Sequence, residues 1–265
     1  MPGGGAAMGA DGTGKSIGIG REWIMAQIFG HRGASAYAPE NTMAAYRLAQ
    51  ELGAHGVEID VQCAKDGEVV VLHDAFLDRV SNGRGYVWEY TVKELKALDF
   101  GIHFPDRYAG EQIPTLDEVL DFIAHSPMAL NIEIKSSPYR YDETLVKKIH
   151  DKVTRYGKSV SEKIILSSFD HRCLREYRLL NPQMPLGLLY SANLYLPGDY
   201  AAAVGAQAIH PHYQMIDAQG VRNCKERGIQ INTWTVDDPA DIKRMLELGC
   251  DRIITNRPDV GLSCL

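Results

Sequence analysis

Four short runs of this chain carry side chains that could do chemistry together: GHRG (30–33), VEIDV (57–61), LHD (72–74) and NIEIK (131–135). Residues two apart on a strand share a face, so Glu58 and Asp60 project together, as do Glu133 and Lys135. Inside apolar strands such charges are costly to bury without partners. At a strand end they make sense around a cation. Three carboxylates are hard oxygen donors, suited to one divalent cation, Mg²⁺ or Ca²⁺, rather than to zinc. The alternative is a set of protein ion pairs with Lys135 and Arg32. His31 and His73 add two imidazoles, the usual equipment of a general acid and a general base near neutral pH.

A different run, GADGTGKS (9–16), satisfies the pattern of a phosphate-cradling loop. That pattern has a mechanism only between a strand and a helix. The preceding MPGGGAAM has no β-branched run to form a strand. The following IGIGREW places Gly18 and Gly20 where each would weaken a helix by about 1 kcal/mol relative to alanine. Residues 1–24 therefore read as a flexible leader, and any phosphate chemistry belongs elsewhere.

The elements that must position the four runs are legible in outline. Apolar strand-like runs occur at 25–30, 56–61, 128–135, 163–169, 185–190, 206–212, 229–236 and 251–256. Helical stretches at 41–52, 116–125, 141–156, 171–180, 199–204, 218–227 and 239–248 separate them, with Gly228 and Gly249 at C-terminal positions. Eight strands with intervening helices in a chain of 265 residues predict an α/β (β/α)8 TIM barrel spanning 25–265. A doubly wound open sheet is the alternative. EVVVLHD (68–74) is a ninth strand-like run. It follows the second strand too closely for a parallel crossover, so it predicts an antiparallel hairpin turning at Asp66-Gly67. It opens a small insertion between the second strand and the second helix, about 62–114, at the end where such barrels keep their active sites. On the first barrel loop, Asn41 or Thr42 is the predicted helix cap. Glu40 reads equally as a first-turn carboxylate or as part of the site.

Composition narrows the partners. With 45% hydrophobic and 23% charged residues the chain is ordinary for a soluble globular protein, and a net charge of −6 argues against nucleic acid. No apolar run approaches the roughly 20 residues of a membrane-spanning helix. Five well-spaced cysteines without a CxxC pair predict free thiols and a cytoplasmic location.

GHRGASAYAPENT, then GVEIDVQCAKDGEVVVLHD, then LNIEIK closely resemble the glycerophosphodiester phosphodiesterases, with TWTVDD and IITNRPD also similar; the resemblance runs from about 28 to 258. It implies a (β/α)8 barrel with an insertion after the second strand, and hydrolysis of a small-molecule glycerophosphodiester, such as glycerophosphocholine or glycerophosphoethanolamine, to sn-glycerol 3-phosphate and an alcohol. Carried over by position, Glu58, Asp60 and Glu133 would hold the metal, and His31 and His73 would be the acid–base pair. Arg32 and Lys135 would bind phosphate. Trp234 would form an apolar wall for glycerol, with barrel packing as its alternative role. His73 is assigned as base and His31 as acid, an order that spacing alone does not determine. Two other readings stand beside this one. The lid aromatics Tyr86, Trp88 and Tyr90 would suit a lysophospholipase D or a sphingomyelinase D-like enzyme, and a non-catalytic barrel could bind phosphodiesters as a sensor.

Overall fold

The computed structural model describes residues 26–136 and 142–265. The leader and its phosphate-loop pattern lie outside the described residues. Nine strands form one sheet: β1 Gln27–His31, β2 Gly56–Cys63, β3 Val69–Val71, β4 Ala129–Ile134, β5 Ile164–Ser168, β6 Leu186–Tyr190, β7 Ala208–Pro211, β8 Gln230–Thr233 and β9 Arg252–Thr255. Eight of them pair in parallel in the order β1-β9-β8-β7-β6-β5-β4-β2, and β1 pairs again with β2 to close the ring. This is the expected TIM barrel. The open-sheet alternative is excluded by that closure.

Strands buried on both faces need not alternate in polarity, and all eight residues of β2 are buried. The helices follow the 3.6-residue period instead. The barrel is wrapped by α1 Met43–Glu51 and, after the short α2 Val92–Leu95 and α3 Pro105–Tyr108 of the insertion, by α4 Leu116–Ala124. α4 buries Leu116, Val119, Leu120 and Ile123, one face of the helix. Full burial of each such side chain contributes about 1.5–3 kcal/mol. Its start is set by a capping box, with Thr115 Oγ1 accepting from Glu118 N and Glu118 accepting from Thr115 N. α5 Leu145–Arg155 and α6 Lys158–Ser161 follow β4, then α7 His171–Leu180, α8 Pro197–Val204, α9 Ala218–Glu226 and α10 Pro239–Leu248 alternate with the remaining strands. The helix expected over 141–156 begins at Leu145; residues 137–141 lie outside the described residues. A last helix, α11 Pro258–Ser263, was not anticipated and packs back on β1 and β9.

The ninth run pairs with β2 antiparallel, Val61 opposite Val71 and Cys63 opposite Val69, and Gly67 takes the left-handed conformation its turn requires. Beyond it the insertion closes on its own core of Ala64, Val70, Leu72, Leu77, Val80, Val87, Leu95, Phe100 and Ile113. It is a packed subdomain on the C-terminal rim, and it fixes where His73 stands.

One expectation at a strand end needs correction. Trp234 does not lie on the seventh barrel strand: β8 stops at Thr233, and Trp234 follows in a single bridge to His212. Pro211 on the neighbouring strand has no N–H to give, so regular pairing ends there. Of the two caps expected for the first helix, Asn41 or Thr42, the structure uses Thr42, its Oγ1 accepting from Ala45 N. All five cysteines are free thiols, four of them buried, as expected. Among the described residues no helix is long and apolar enough to cross a membrane.

Candidate active site

The barrel brings the four runs together at the C-terminal ends of β1, β2 and β4. His31 opposes Glu58 in the β1–β2 register, and Asp60 opposes Glu133 in the β2–β4 register. Glu58, Asp60 and Glu133 are buried, and one oxygen of each lies within 4.8 Å of the others. Burial raises the Glu58 carboxyl well above its ordinary value, and the charges of Asp60 and Glu133 add to that. Burial and then Asp60 raise Glu133 in the same way. Asp60 goes the other way: burial pushes it up, but Lys135 and Arg32 outweigh that and hold it well below the usual carboxylate range. Lys135 Nζ donates to Glu133 Oε1 at 2.7 Å and stands 3.4 Å from Asp60 Oδ1.

The cluster fits a hard divalent cation. Its donors are all carboxylate oxygens. Asp60 Oδ1 is buried without a hydrogen bond. Two cationic side chains do not offset three crowded carboxylates, two of which are pushed toward protonation by burial first and by that crowding second. The cluster is therefore both a candidate ion-pair network and a candidate metal centre, and the ion pairs with Lys135 and Arg32 belong to it rather than replacing it.

Backbone strain is concentrated here. Among the described residues only two non-glycine residues have positive φ, Arg32 and Asn41, both at 56°. Such conformations persist where the surroundings determine them. The left-handed turn at Arg32 aims its N–H at Glu58 Oε2, 3.1 Å away, and Gly33 follows because a Cβ there would lie 2.6 Å from the Ala45 Cβ. At Asn41 the side-chain Nδ2 donates to Asp60 Oδ2 at 2.9 Å while Oδ1 accepts from the buried Tyr46 hydroxyl at 3.1 Å. Asn41 thus orients a carboxylate of the cluster. Asn41→Ala is expected to destabilise the fold by about 2–4 kcal/mol, the sum of a left-handed penalty and a lost hydrogen bond to a buried carboxylate. Asn41→Gly keeps the backbone relaxed and should lose about 1 kcal/mol less. Urea unfolding of both variants checks this, and equal losses would show that the strain plays no part.

Both histidines line the cavity that also exposes Arg32, Glu58, Glu133, Phe169 and Trp234, about 340 Å³ of open space. Their backing differs. Asn256 Nδ2 donates to Asp237 Oδ2 at 2.6 Å, which turns Oδ1 toward His31 Nδ1 at 2.7 Å. Nδ1 therefore carries the proton, and Nε2 is the ring's open nitrogen. Ser35 Oγ donates to the same Asn256 oxygen. Burial, then the Arg32 charge, lower His31 to about 4. His73 instead sets Nδ1 against Asp74 Oδ1 at 2.6 Å, a carboxylate rather than an amide. Its loop is pinned from below: the buried Gln62 Nε2 donates to the carbonyls of Leu72, His73 and Asp74. Trp234 is oriented by an Nε1–H bond to the His210 carbonyl at 2.7 Å, and Phe169 meets it edge-on at 5.5 Å.

All eight residues expected from the sequence converge at this rim, Trp234 included although it lies just past its strand. The sequence reading gave no role to Asn256, Asp237, Gln62, Asp74 or Phe169. Gln62 had a signal, since it shares a face with Glu58 and Asp60. For Asn256 and Asp237 only the run IITNRPD and the pair Asp237-Asp238 stood out, with nothing to connect them to His31.

Comparison with known proteins points to one family. Residues 31–260 match the model of the Glycerophosphoryl diester phosphodiesterase family. A glycerophosphodiester phosphodiesterase of Caldanaerobacter subterraneus subsp. tengcongensis is 43% identical over 235 residues, 88% of this chain and 94% of that protein. One from Bacillus altitudinis is 35% identical, covering 89% of this chain and 96% of that protein. Among solved structures, an Oleispira antarctica phosphodiesterase in complex with the product sn-glycerol-3-phosphate is 28% identical with a TM-score of 0.78, over 91% of this chain and 96% of the other.

Proposed function

The chain belongs to the glycerophosphoryl diester phosphodiesterase family and is a phosphoric diester hydrolase, and from that premise we propose that it converts glycerophosphodiesters such as glycerophosphocholine and glycerophosphoethanolamine to sn-glycerol 3-phosphate and the free alcohol. The observation that carries this reading is the convergence on one cavity of two imidazoles, each with Nδ1 already engaged, beside the carboxylate cluster.

Glu58, Asp60 and Glu133 would hold one divalent cation, Mg²⁺ or Ca²⁺. When bound, such an ion supplies positive charge to the phosphoryl oxygens of a substrate whose own anionic charge repels nucleophiles. The rest of the chemistry falls to the chain. Arg32 and Lys135 bind the phosphate and stabilise the extra charge of the transition state. Trp234, held upright by its bond to the His210 carbonyl, forms the wall against which the glycerol carbons rest.

His31 takes the proton from the attacking hydroxyl and His73 donates one to the departing alkoxide. This order reverses the sequence-based assignment. The buried ring of His31, backed by a neutral amide, is kept in its neutral form with Nε2 free to accept. The ring of His73 has a carboxylate at its back, which compensates the charge of an imidazolium. The attacking hydroxyl is the substrate's own glycerol hydroxyl, giving a cyclic phosphate that water then opens with the two rings exchanging roles. A neighbouring hydroxyl is required, which accounts for a glycerol preference.

A substrate panel tests the proposal: glycerophosphocholine, glycerophosphoethanolamine, glycerophosphoglycerol and lysophosphatidylcholine, with release of glycerol 3-phosphate as the readout. The three deacylated diesters should be turned over. Turnover of lysophosphatidylcholine alone would make the protein a lysophospholipase D, and binding without turnover of any of them would make it a phosphodiester-binding barrel.

A further inference from the structure

The group that this chemistry leaves unused is the guanidinium of Arg79, on the insertion. It lies between two carboxylates from separate parts of the chain. Nε donates to Asp74 Oδ2 at 2.5 Å, and the two terminal nitrogens donate to Glu40 Oε2 and Oε1, each at 2.7 Å. Each carboxylate is also held by a residue of the site. Asp74 faces His73 Nδ1 at 2.6 Å, and Glu40 accepts from Arg32 at 2.8 Å.

We propose that Arg79 is a positioning residue for the hydrolysis: through Asp74 it sets the ring of His73, and through Glu40 it sets the guanidinium of Arg32, so that insertion and first barrel loop present both groups in one geometry. The proposal rests on the roles given above to His73 and Arg32. Three physical points support it. Arg79 occupies both oxygens of Glu40, which leaves Arg32 a single contact there and keeps its remaining donors available to phosphate. Without Arg79 the Glu40 carboxylate closes on Arg32 and competes with substrate. Second, Glu40 and Asp74 are like charges joined through this cation; removing it turns them against each other and leaves Asp74 held at one oxygen by His73. Third, a planar fork serves three acceptors at once, which a lysine ammonium on a flexible stem does not reproduce.

The stem of Arg79 is anchored although its side chain is half-exposed. Leu77 and Val80 on either side are buried in the insertion core. Ser81 N and Oγ both donate to the Leu77 carbonyl, and His103 Nε2 meets the Arg79 carbonyl at 2.5 Å. An exposed ion pair adds little to stability, so the contribution of Arg79 should show in turnover and not in melting.

Steady-state kinetics of the full chain with glycerophosphocholine and Mg²⁺ or Ca²⁺ decide the matter. Wild-type protein is measured first, and failure to release glycerol 3-phosphate would defeat the proposed function itself. Given wild-type turnover, Arg79→Ala should lower kcat about 10–100-fold, the usual consequence of removing a group that orients active-site ligands, with little change in melting temperature. Methylguanidinium in the buffer should restore part of the loss. Arg79→Lys should recover little. Asp74→Asn should also lower kcat, and the double variant should be scarcely worse than Arg79→Ala alone, because the ring of His73 through which Asp74 acts is one of the two groups that Arg79 sets. Wild-type kcat in Arg79→Ala, or losses that multiply in the double variant, would overturn the proposal. Should Arg79→Ala fail to fold, Arg79→Lys decides, and full activity in it overturns the proposal equally.

Discussion

His31→Ala and His73→Ala are each expected to lower kcat for glycerol 3-phosphate release by about 10²–10⁴-fold, the usual worth of a positioned acid or base. The far-ultraviolet circular dichroism should be unchanged, because neither ring is part of the core. In the His31 variant, Asn256 keeps its bonds to Asp237 and Ser35. In the His73 variant, Gln62 still pins the loop through backbone carbonyls. The sign of the pH response separates the two rings. A base must be unprotonated to act, and burial keeps His31 in that form until the pH falls to about 4. The loss of kcat/KM on acidification that His31 causes should therefore come far below the ordinary histidine range, and a rise centred near 6.5 that vanishes in His31→Ala would show the ring to be freely titrating. Activity close to wild type in either alanine variant would remove that ring from the mechanism.

The second large effect concerns the carboxylates and has opposite signs for function and for stability. Chelation should stop turnover and Mg²⁺ or Ca²⁺ should restore it. Glu58→Gln should abolish both activity and cation binding, read by calorimetry on protein stripped of metal. The same substitution should stabilise the metal-free fold. Burial, with Asp60 and Glu133 nearby, raises the folded Glu58 carboxyl well above the ordinary 4.5. A group so raised contributes stability that is fully present below its unfolded value and is lost as pH climbs through its folded one. Metal-free wild type should then lose melting temperature as pH rises above about 4.5. Glu58→Gln should flatten that decline and melt higher at pH 8. Adding the divalent ion should restore the wild type and leave the variant unmoved. Full activity in metal-free protein would sink the carboxylate-site assignment, and a variant melting below wild type at every pH would show that like-charge crowding does not strain the cluster.

The two predictions differ in how much of them could be read without a structure. That the acidic residues act together follows from spacing. Glu58 and Asp60 are two apart within one strand-like run, as are Glu133 and Lys135, and a strand's period of two is local. The parallel barrel and the hairpin at Val69–Val71 were legible for a similar reason, since run lengths and the short gap at Asp66-Gly67 leave few connections. The end of β8 before Trp234 and the capping role of Thr42 over Asn41 were not. Each depends on a neighbour across a gap, Pro211 on the adjoining strand for one and the carboxylate of Asp60 for the other.

By itself, then, the sequence determined the barrel class, the inward-facing charges and the two imidazoles at the rim, because periodicity and spacing act over a few residues. Only the tertiary structure decided what stands behind each functional group. Closing β1 against β9 sets Asn256 beside His31, 225 positions away, and folding the insertion over the rim sets Arg79 against Glu40, 39 positions away. Those partners are what the proposed order of acid and base rests on, and a chain reveals them only once its distant segments are packed together.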